Sequence, residues 1–260
     1  MVESDILGVI FCFSCLIYAS WVDIKSRSVT NKLWLLMIAV AIPFASYNLL
    51  IYRIPFLIHL IFALLFTFAL SYLFFRLNLF GGADAKSLIC ISLLIPTHPS
   101  FHFLSYHFPV SPSLFLVLEP FPFPFAISTL LNATIIALTV SLTLFIRNLL
   151  NLRSEEVRKN LGFLFIGYKL HVNALTDVRH TRLVHSYEEK EGNLEKKFLF
   201  GGVEIDKGVI EKLKSYAAEG KIDEEVWVTP NLPFMLFITA GFLISIFYGN
   251  LIFNPLFYAF

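Results

Sequence analysis

With 260 residues, 57% of them hydrophobic and 16% aromatic, and a mean hydropathy of +0.73, the chain is too apolar for an ordinary water-soluble domain, in which about a quarter of the residues are charged. Its net charge of +1 hides a segregation: residues 147–229 hold 14 of the 20 Lys and Arg and 14 of the 19 Asp and Glu, a balanced set that offers no basic face for nucleic acid. The composition points to an all-α polytopic membrane bundle of six transmembrane helices, with a small cytoplasmic α+β domain between the fifth and the sixth.

A membrane crossing takes about 20 mostly apolar residues. Six runs answer to that: 6–22, 33–50, 55–75, 83–96, 124–146 and 232–249, the fourth being the shortest. Glu3 and Asp5 stand where a signal peptide has its basic region, so the first run is expected to be a retained span. Cys12, Cys15 and Cys90 all lie inside apolar runs. The Cys12-x-x-Cys15 spacing suits redox or metal chemistry, but without a second pair these are read as small helix-packing residues, and no metal is expected.

Basic residues between spans set the orientation. Lys25, Arg27 and Lys32 follow the first run, and Arg76 and Lys86 flank the connection between the third and fourth. The second connection has only Arg53, and residues 97–123 have no Lys or Arg. Both chain ends are therefore expected outside, with the first, third and fifth loops in the cytoplasm. The 97–123 connection, with Pro99, Pro109, Pro112, Pro120 and Pro122, is read as an amphipathic loop at the outer interface; His98, His102 and His107 in it match no ligand spacing. His59 is read as a satisfied polar packing residue within its span.

Residues 1–147 are expected to hold the first five transmembrane helices, 148–229 a soluble cytoplasmic domain, and 230–260 the sixth helix and the C-terminus. Within the domain, 148–160 reads as a polar extension of the fifth helix. Strands are expected at 162–172, 180–187 and 196–205, the last two joined across Glu191-Gly192-Asn193. A helix over 207–219 follows, with Asp206 as its N-cap and Gly220 past its end. The chain returns to the membrane through 226–234, where Pro230 and Pro233 mark either a proline-initiated helix or an unwound turn lining a wet cavity.

Two acids are left to explain. Asp23 ends the first apolar run and Asp84 opens the fourth, and the charge pattern puts both on the cytoplasmic side. An ionisable group at a span is a functional candidate by default. Alone, Asp84 would suit a helix N-terminus and Asp23 would be solvated beside Lys25. Together they suit hydrolysis: two carboxylates on one water share a single proton, so that the ionised member takes a proton from water while the other polarises a peptide carbonyl. Gly81, Gly82 and Ala83 leave room for an extended substrate backbone to approach. Lys86 is read as a snorkelling marker of the inner face.

The stretch GGADAK, residues 81–86, resembles the G-x-G-D signature of the intramembrane aspartyl proteases, the group of prepilin peptidases, archaeal preflagellin peptidases and presenilin. Asp23 and Asp84 match the catalytic pair, Gly81 the first signature glycine, and Ala83 stands in place of the second. The small residue at 83, the missing pair of CxxC motifs and the soluble segment before the last span resemble the archaeal preflagellin branch. That resemblance implies a metal-independent, cofactor-free endopeptidase that removes short basic leader peptides from preflagellin or prepilin-like precursors at the cytoplasmic face. Its partners would be the precursor and the lipid bilayer, and the acidic segments Glu155-Glu156 or Asp223-Glu224-Glu225 would either draw a basic leader or merely solvate the surface. The readings set against it are an ion- or proton-coupled transporter using the aspartates as its coupling site, and a membrane-anchored interaction protein working through 148–229.

Overall fold

The computed structural model describes residues 3–77, 79–99, 101–103, 106–109, 123–178, 180–190 and 193–252. The chain forms two compact units, one of residues 1–137 with 233–260 and one of 138–232. Among the described residues, three helices are long and apolar enough to cross a membrane, and a small sheet makes up much of the second unit.

In the first unit, α1 (Glu3–Ser26) is followed by α2 (Asn31–Arg76), two helical stretches joined at a kink whose 46 residues amount to about 69 Å of helix at 1.5 Å per residue, enough for two crossings of a bilayer core. The loop expected around Arg53 is a break of one residue: Arg53 alone leaves helical geometry, at φ 56 and ψ −134, and helix resumes on both sides. Pro55, two residues on, has no N–H to give to the preceding turn, which makes this the weakest point of the ladder. Before the kink α2 buries Leu33, Trp34, Met37, Ala41 and Asn48, and after it only the small residues Ala63, Thr67 and Ser71. That lets α3 (Gly82–Leu94) pack closely, and Thr67 Oγ1 donates to Ser92 Oγ at 3.3 Å.

At 13 residues α3 is shorter than the run that predicted it, because Pro96 disfavours helix at Ile95. It packs against α1 and against α7 (Phe234–Phe247), itself 14 residues long. The connection after α3 holds a two-stranded hairpin, β1 (Phe101–Phe103) and β2 (Tyr106–Phe108), in which His102 is paired with His107. His98 is buried, with Nε2 hydrogen-bonded to Ser128 Oγ at 2.7 Å, and no group of three metal-ligating side chains occurs among the described residues. Pro112, Pro120 and Pro122 lie outside the described residues.

The second unit begins within α4 (Phe125–Asn151). The expected polar extension continues α4 as far as Asn151 and then, after a short break, becomes a separate helix, α5 (Ser154–Lys159), and a 3₁₀ turn over Phe163–Phe165 replaces the first half of the strand expected at 162–172. Asn148 is responsible: its buried amide donates to Leu164 O at 2.9 Å and Gly167 O at 2.7 Å, claiming carbonyls a strand would need. What remains is β3 (Tyr168–His171). With β4 (Thr181–Lys190), β5 (Asn193–Glu204) and β6 (Glu225–Pro230) it forms an antiparallel sheet in the order β3-β6-β4-β5. Glu191 and Gly192 of the expected turn lie outside the described residues.

The expected helix is present as α6 (Lys207–Ala218), its N-cap Asp206 accepting from Val209 N at 2.7 Å. It buries Ile210 and Leu213 against Val172, Leu175, Leu183, Val226 and Val228. The segment 226–230, expected to lead into the membrane, is instead β6, an inner strand bonded on both sides. Its Val226 and Val228 are buried against Ile210 and Leu213 of α6, and Trp227 against Leu164 and Val184, which no local pattern announces.

His185 on β4 is 5% exposed, edge-on to Phe163, and its Nδ1 has no partner among the described residues. Burial, with the Lys196 charge second, pushes its pKa from 6.5 down to about 4. Between those values the unfolded chain takes up a proton that the folded chain refuses, so His185 costs nothing above about pH 6.5 and destabilises the fold increasingly as the pH falls toward 4. Thermal unfolding followed from neutral to acid pH is expected to show a smaller loss of Tm in His185→Phe than in the unsubstituted protein. An equal loss in both would remove this residue from the account.

Candidate active site

Asp84 is the third residue of α3, where a carboxylate can reach back to the N-cap. The N–H of Gly81 donates to Asp84 Oδ2 at 3.0 Å, half of a capping box, since glycine has no side chain to return the bond. The glycine is not there for its conformation: φ −71 and ψ 158 suit any residue. A Cβ at Gly81 would lie 3.1 Å from Asp84 Oδ2, so the missing side chain makes room for the carboxylate itself. At Gly82 a Cβ would meet only Phe75 Cε2, at 4.0 Å. Asp84 is 8% exposed.

Asp23 sits in the last turn of α1, half-buried, one turn before the chain leaves the helix at Arg27 with φ 54. Its carboxylate faces the backbone N–H of Met235, one of the free donors of the first turn of α7, and lies in the field of the Arg27 guanidinium. The two aspartates are near enough for the charge of Asp23 to act on Asp84, which is held by the Gly81 N–H, while Asp23 faces the N–H of Met235. The fold thus brings the C-terminal end of α1 and the N-terminal ends of α3 and α7 together around two acids.

The surroundings fix those three ends. Ser20 Oγ donates to Met235 O at 2.9 Å and lies 2.7 Å from Thr239 Oγ1, which donates to Leu16 O at 3.1 Å. Phe80 packs edge-on to Phe74 and tilted against Phe234, closing the space between the start of α3 and the start of α7. Lys86, expected to reach for the lipid surface, instead donates to Asn31 Oδ1 at 2.7 Å and ties α3 to the first residue of α2.

Three participants escaped the sequence reading. Met235 acts through its backbone, and the signal for it was Pro233, which announces a helix start with unpaired donors. Arg27 was grouped with Lys25 and Lys32 as an orientation marker, although its Nε and Nη1 are buried without a partner among the described residues. Asn31 carried no signal.

The comparisons bear on this same region. The model of the type IV leader peptidase family matches residues 10–142, which hold both aspartates. The chain belongs to the type IV leader peptidase family. A second model, of the archaeal peptidase A24 C-terminus type II, matches residues 159–251 and so covers the sheet and α7. The chain is similar to a preflagellin peptidase of Methanocaldococcus jannaschii, 26% identical over 90% of this chain and 91% of that one. A preflagellin peptidase of Methanococcus maripaludis is 28% identical over 90% of this chain and 92% of its own. A prepilin peptidase of Methanothermobacter thermautotrophicus is 29% identical over 49% of this chain and 33% of its own. Membership of a type IV leader peptidase family weighs against the ion-coupled transporter considered from the sequence.

Proposed function

We propose that this protein is an intramembrane aspartic endopeptidase that cleaves leader peptides from archaeal preflagellin or type IV prepilin-like precursors at the cytoplasmic membrane face, with Asp23 and Asp84 as the catalytic pair. What supports the proposal is that two acids 61 positions apart lie at the ends of packed apolar helices within reach of each other's charge, Asp84 accepting from the Gly81 N–H at 3.0 Å and Asp23 facing that of Met235. The printed names of the relatives support the substrate class.

In this reading the pair carries one proton. The ionised carboxylate takes a proton from a water held between the two as that water attacks the scissile carbonyl, and the protonated carboxyl donates to the carbonyl oxygen. Collapse of the tetrahedral intermediate breaks the C–N bond as the first carboxyl passes its proton to the leaving amine and the second takes its proton back. The N-terminus of α3 adds a positive dipole end beside the developing charge. Asp84 is buried by the packed helices while Asp23 is half-buried, so that water can reach the pair from one side and the other side is apolar. Neither metal nor cofactor has a part in the step.

The proposal extends to topology. Counting α2 as two crossings divided at Arg53, and completing α3 and α7 with their apolar flanks, gives six. Residues 1–147 and 230–260 then make up the membrane part and 148–229 the cytoplasmic domain.

Gly81, Gly82 and Ala83 would face an extended substrate backbone, and the two glycines separate kinetically. Gly81→Ala crowds the Asp84 carboxylate by a few tenths of an ångström and is expected to lower kcat on the order of tenfold, given that about 1 Å of misplacement costs on the order of a hundredfold. Gly82→Ala leaves the carboxylate alone and is expected to raise KM with kcat nearly unchanged. Equal effects on kcat would remove the distinction. The proposal as a whole is tested by incubating detergent-solubilised protein with a leader-bearing precursor and following the shortened product by gel shift and N-terminal sequencing.

A further inference from the structure

β5 is the edge strand of the sheet, exposed at every residue from 195 to 199, and its register with β4 slips in one place. Leu183 pairs with Val203 and His185 with Phe198, so the single residue Val184 on β4 faces residues 199–202 on β5. The extra chain is pushed out as a bulge within the run FLFGG. It is a built feature: Arg182 Nη1 donates to Gly201 O at 3.0 Å, and Gly202 takes φ +66, where a Cβ would lie 2.9 Å from Arg182 Cβ. What the bulge presents is apolar, with Phe198 and Leu199 47% and 43% exposed although adjacent in sequence.

The bulge does not stand alone. Phe165 and Ile166 of the 3₁₀ segment and Leu232 are exposed too, and with Phe198 and Leu199 they line one side of a groove of about 240 Å³. Its other side is Val140, Ser141 and Leu144 of α4. Phe165 stacks on Phe145 of the same helix at 4.4 Å between ring centroids.

Depth decides what covers this face. The first charge on α4 after its apolar stretch is Arg147, with Leu149 and Leu150 still exposed beyond it, so that Val140 to Leu144 lie roughly 5 to 10 Å on the apolar side of that charge at 1.5 Å per residue. The outward face of α4 beside the groove, Leu138, Leu142 and Ile146, is exposed and apolar, as for a lipid-facing helix. The apolar side chains of the sheet therefore stand level with the lipid-facing part of α4 and continue its surface. Lys196 and Lys197 immediately precede the bulge, at the place where an inserted segment meets anionic headgroups.

We propose that this face of the sheet domain, centred on the Phe198–Leu199 bulge and the Phe165–Ile166 turn, is immersed in the membrane leaflet through which α4 emerges, with lipid acyl chains filling the groove. The domain is thereby fixed at the bilayer surface instead of hanging free in the aqueous phase. This goes beyond the peptidase reading and does not depend on it, because lipid immersion is read without reference to cleavage.

The test uses full-length protein with Cys12, Cys15 and Cys90 replaced by alanine, reconstituted into vesicles of phosphatidylcholine with a minority of phosphatidylglycerol. A nitroxide is placed at Leu199→Cys, at Phe165→Cys, or at Glu211→Cys on the exposed side of α6 as the aqueous reference. Oxygen concentrates in hydrocarbon and a nickel chelate stays in water. The ratio of oxygen-induced to nickel-induced relaxation is expected to be several-fold higher at 165 and 199 than at 211. Ratios equal to that at 211 overturn the proposal. So does loss of access to both reagents, which would mean that protein covers the face. The two labels sit on separate elements, so distortion of the bulge by its own label leaves the reading at 165 intact.

Discussion

Asp23→Asn and Asp84→Asn are each expected to abolish cleavage of a leader-bearing precursor, lowering turnover on the order of 10⁴-fold or more, as loss of one member of a paired acid–base system does. The local structure makes these substitutions clean. An asparagine at 84 keeps an oxygen for the Gly81 N–H, and one at 23 keeps an oxygen for the Met235 N–H, so helix ends and packing are retained while the ionisable group is lost. Thermal unfolding of both variants should therefore stay near that of the unsubstituted protein. The double variant is expected to be scarcely worse than either single one, because groups that act as a unit are not additive. Chelators should leave the rate unchanged. Near-normal cleavage by either single variant would exclude the pair as the catalytic machinery.

The proposed pairing of the two acids was legible in the sequence because each ingredient is local. An aspartate at the end of an apolar run, basic residues on one side of the spans, and a carboxylate three positions after an N-cap glycine are all visible without the fold. The same holds for α6, where Asp206 and Gly220 bracket an amphipathic stretch. What could not be read is set by partners far along the chain. Val226 to Val228 look like the approach to a span because they are apolar and precede two prolines, and only pairing with β3 and β4 makes them the middle of a sheet. The 3₁₀ turn at Phe163–Phe165 depends on the Asn148 amide, a residue that reads as the polar end of a helix. At the site, Met235 contributes an N–H that every residue possesses, and Arg27 differs from its basic neighbours only by facing Asp23.

Gly241→Ala is expected to be the most damaging single-methyl change in the membrane unit. A Cβ at Gly241 would lie 2.6 Å from Ala133 N, 3.0 Å from Ala133 Cα, and closer still to Thr129 O. These are backbone atoms of α4, so no side chain can turn aside to admit the methyl, and the helices have to part. Overpacking of this kind costs about 1–3 kcal/mol where side chains give way, and backbone contact places this site at the upper end. The separation is resisted nearby: Asn132 Nδ2 donates to Ser245 Oγ at 2.8 Å and to Gly249 O at 2.7 Å, while its Oδ1 accepts from Leu251 N at 2.9 Å. With α7 pinned to α4 there, the strain is expected to tilt its other end, where Met235 N–H faces Asp23 and Phe234 packs on Phe80. Gly241→Ala should therefore lower both Tm in detergent and the cleavage rate. Gly8→Ala is the control, since a Cβ there meets only Phe44, at 3.8 Å, and alanine favours the helix by about 1 kcal/mol. If Gly241→Ala melts and cleaves like the unsubstituted protein while Gly8→Ala does the same, α7 is not held against α4 as closely as these contacts require, and the placement of Met235 beside Asp23 loses its support.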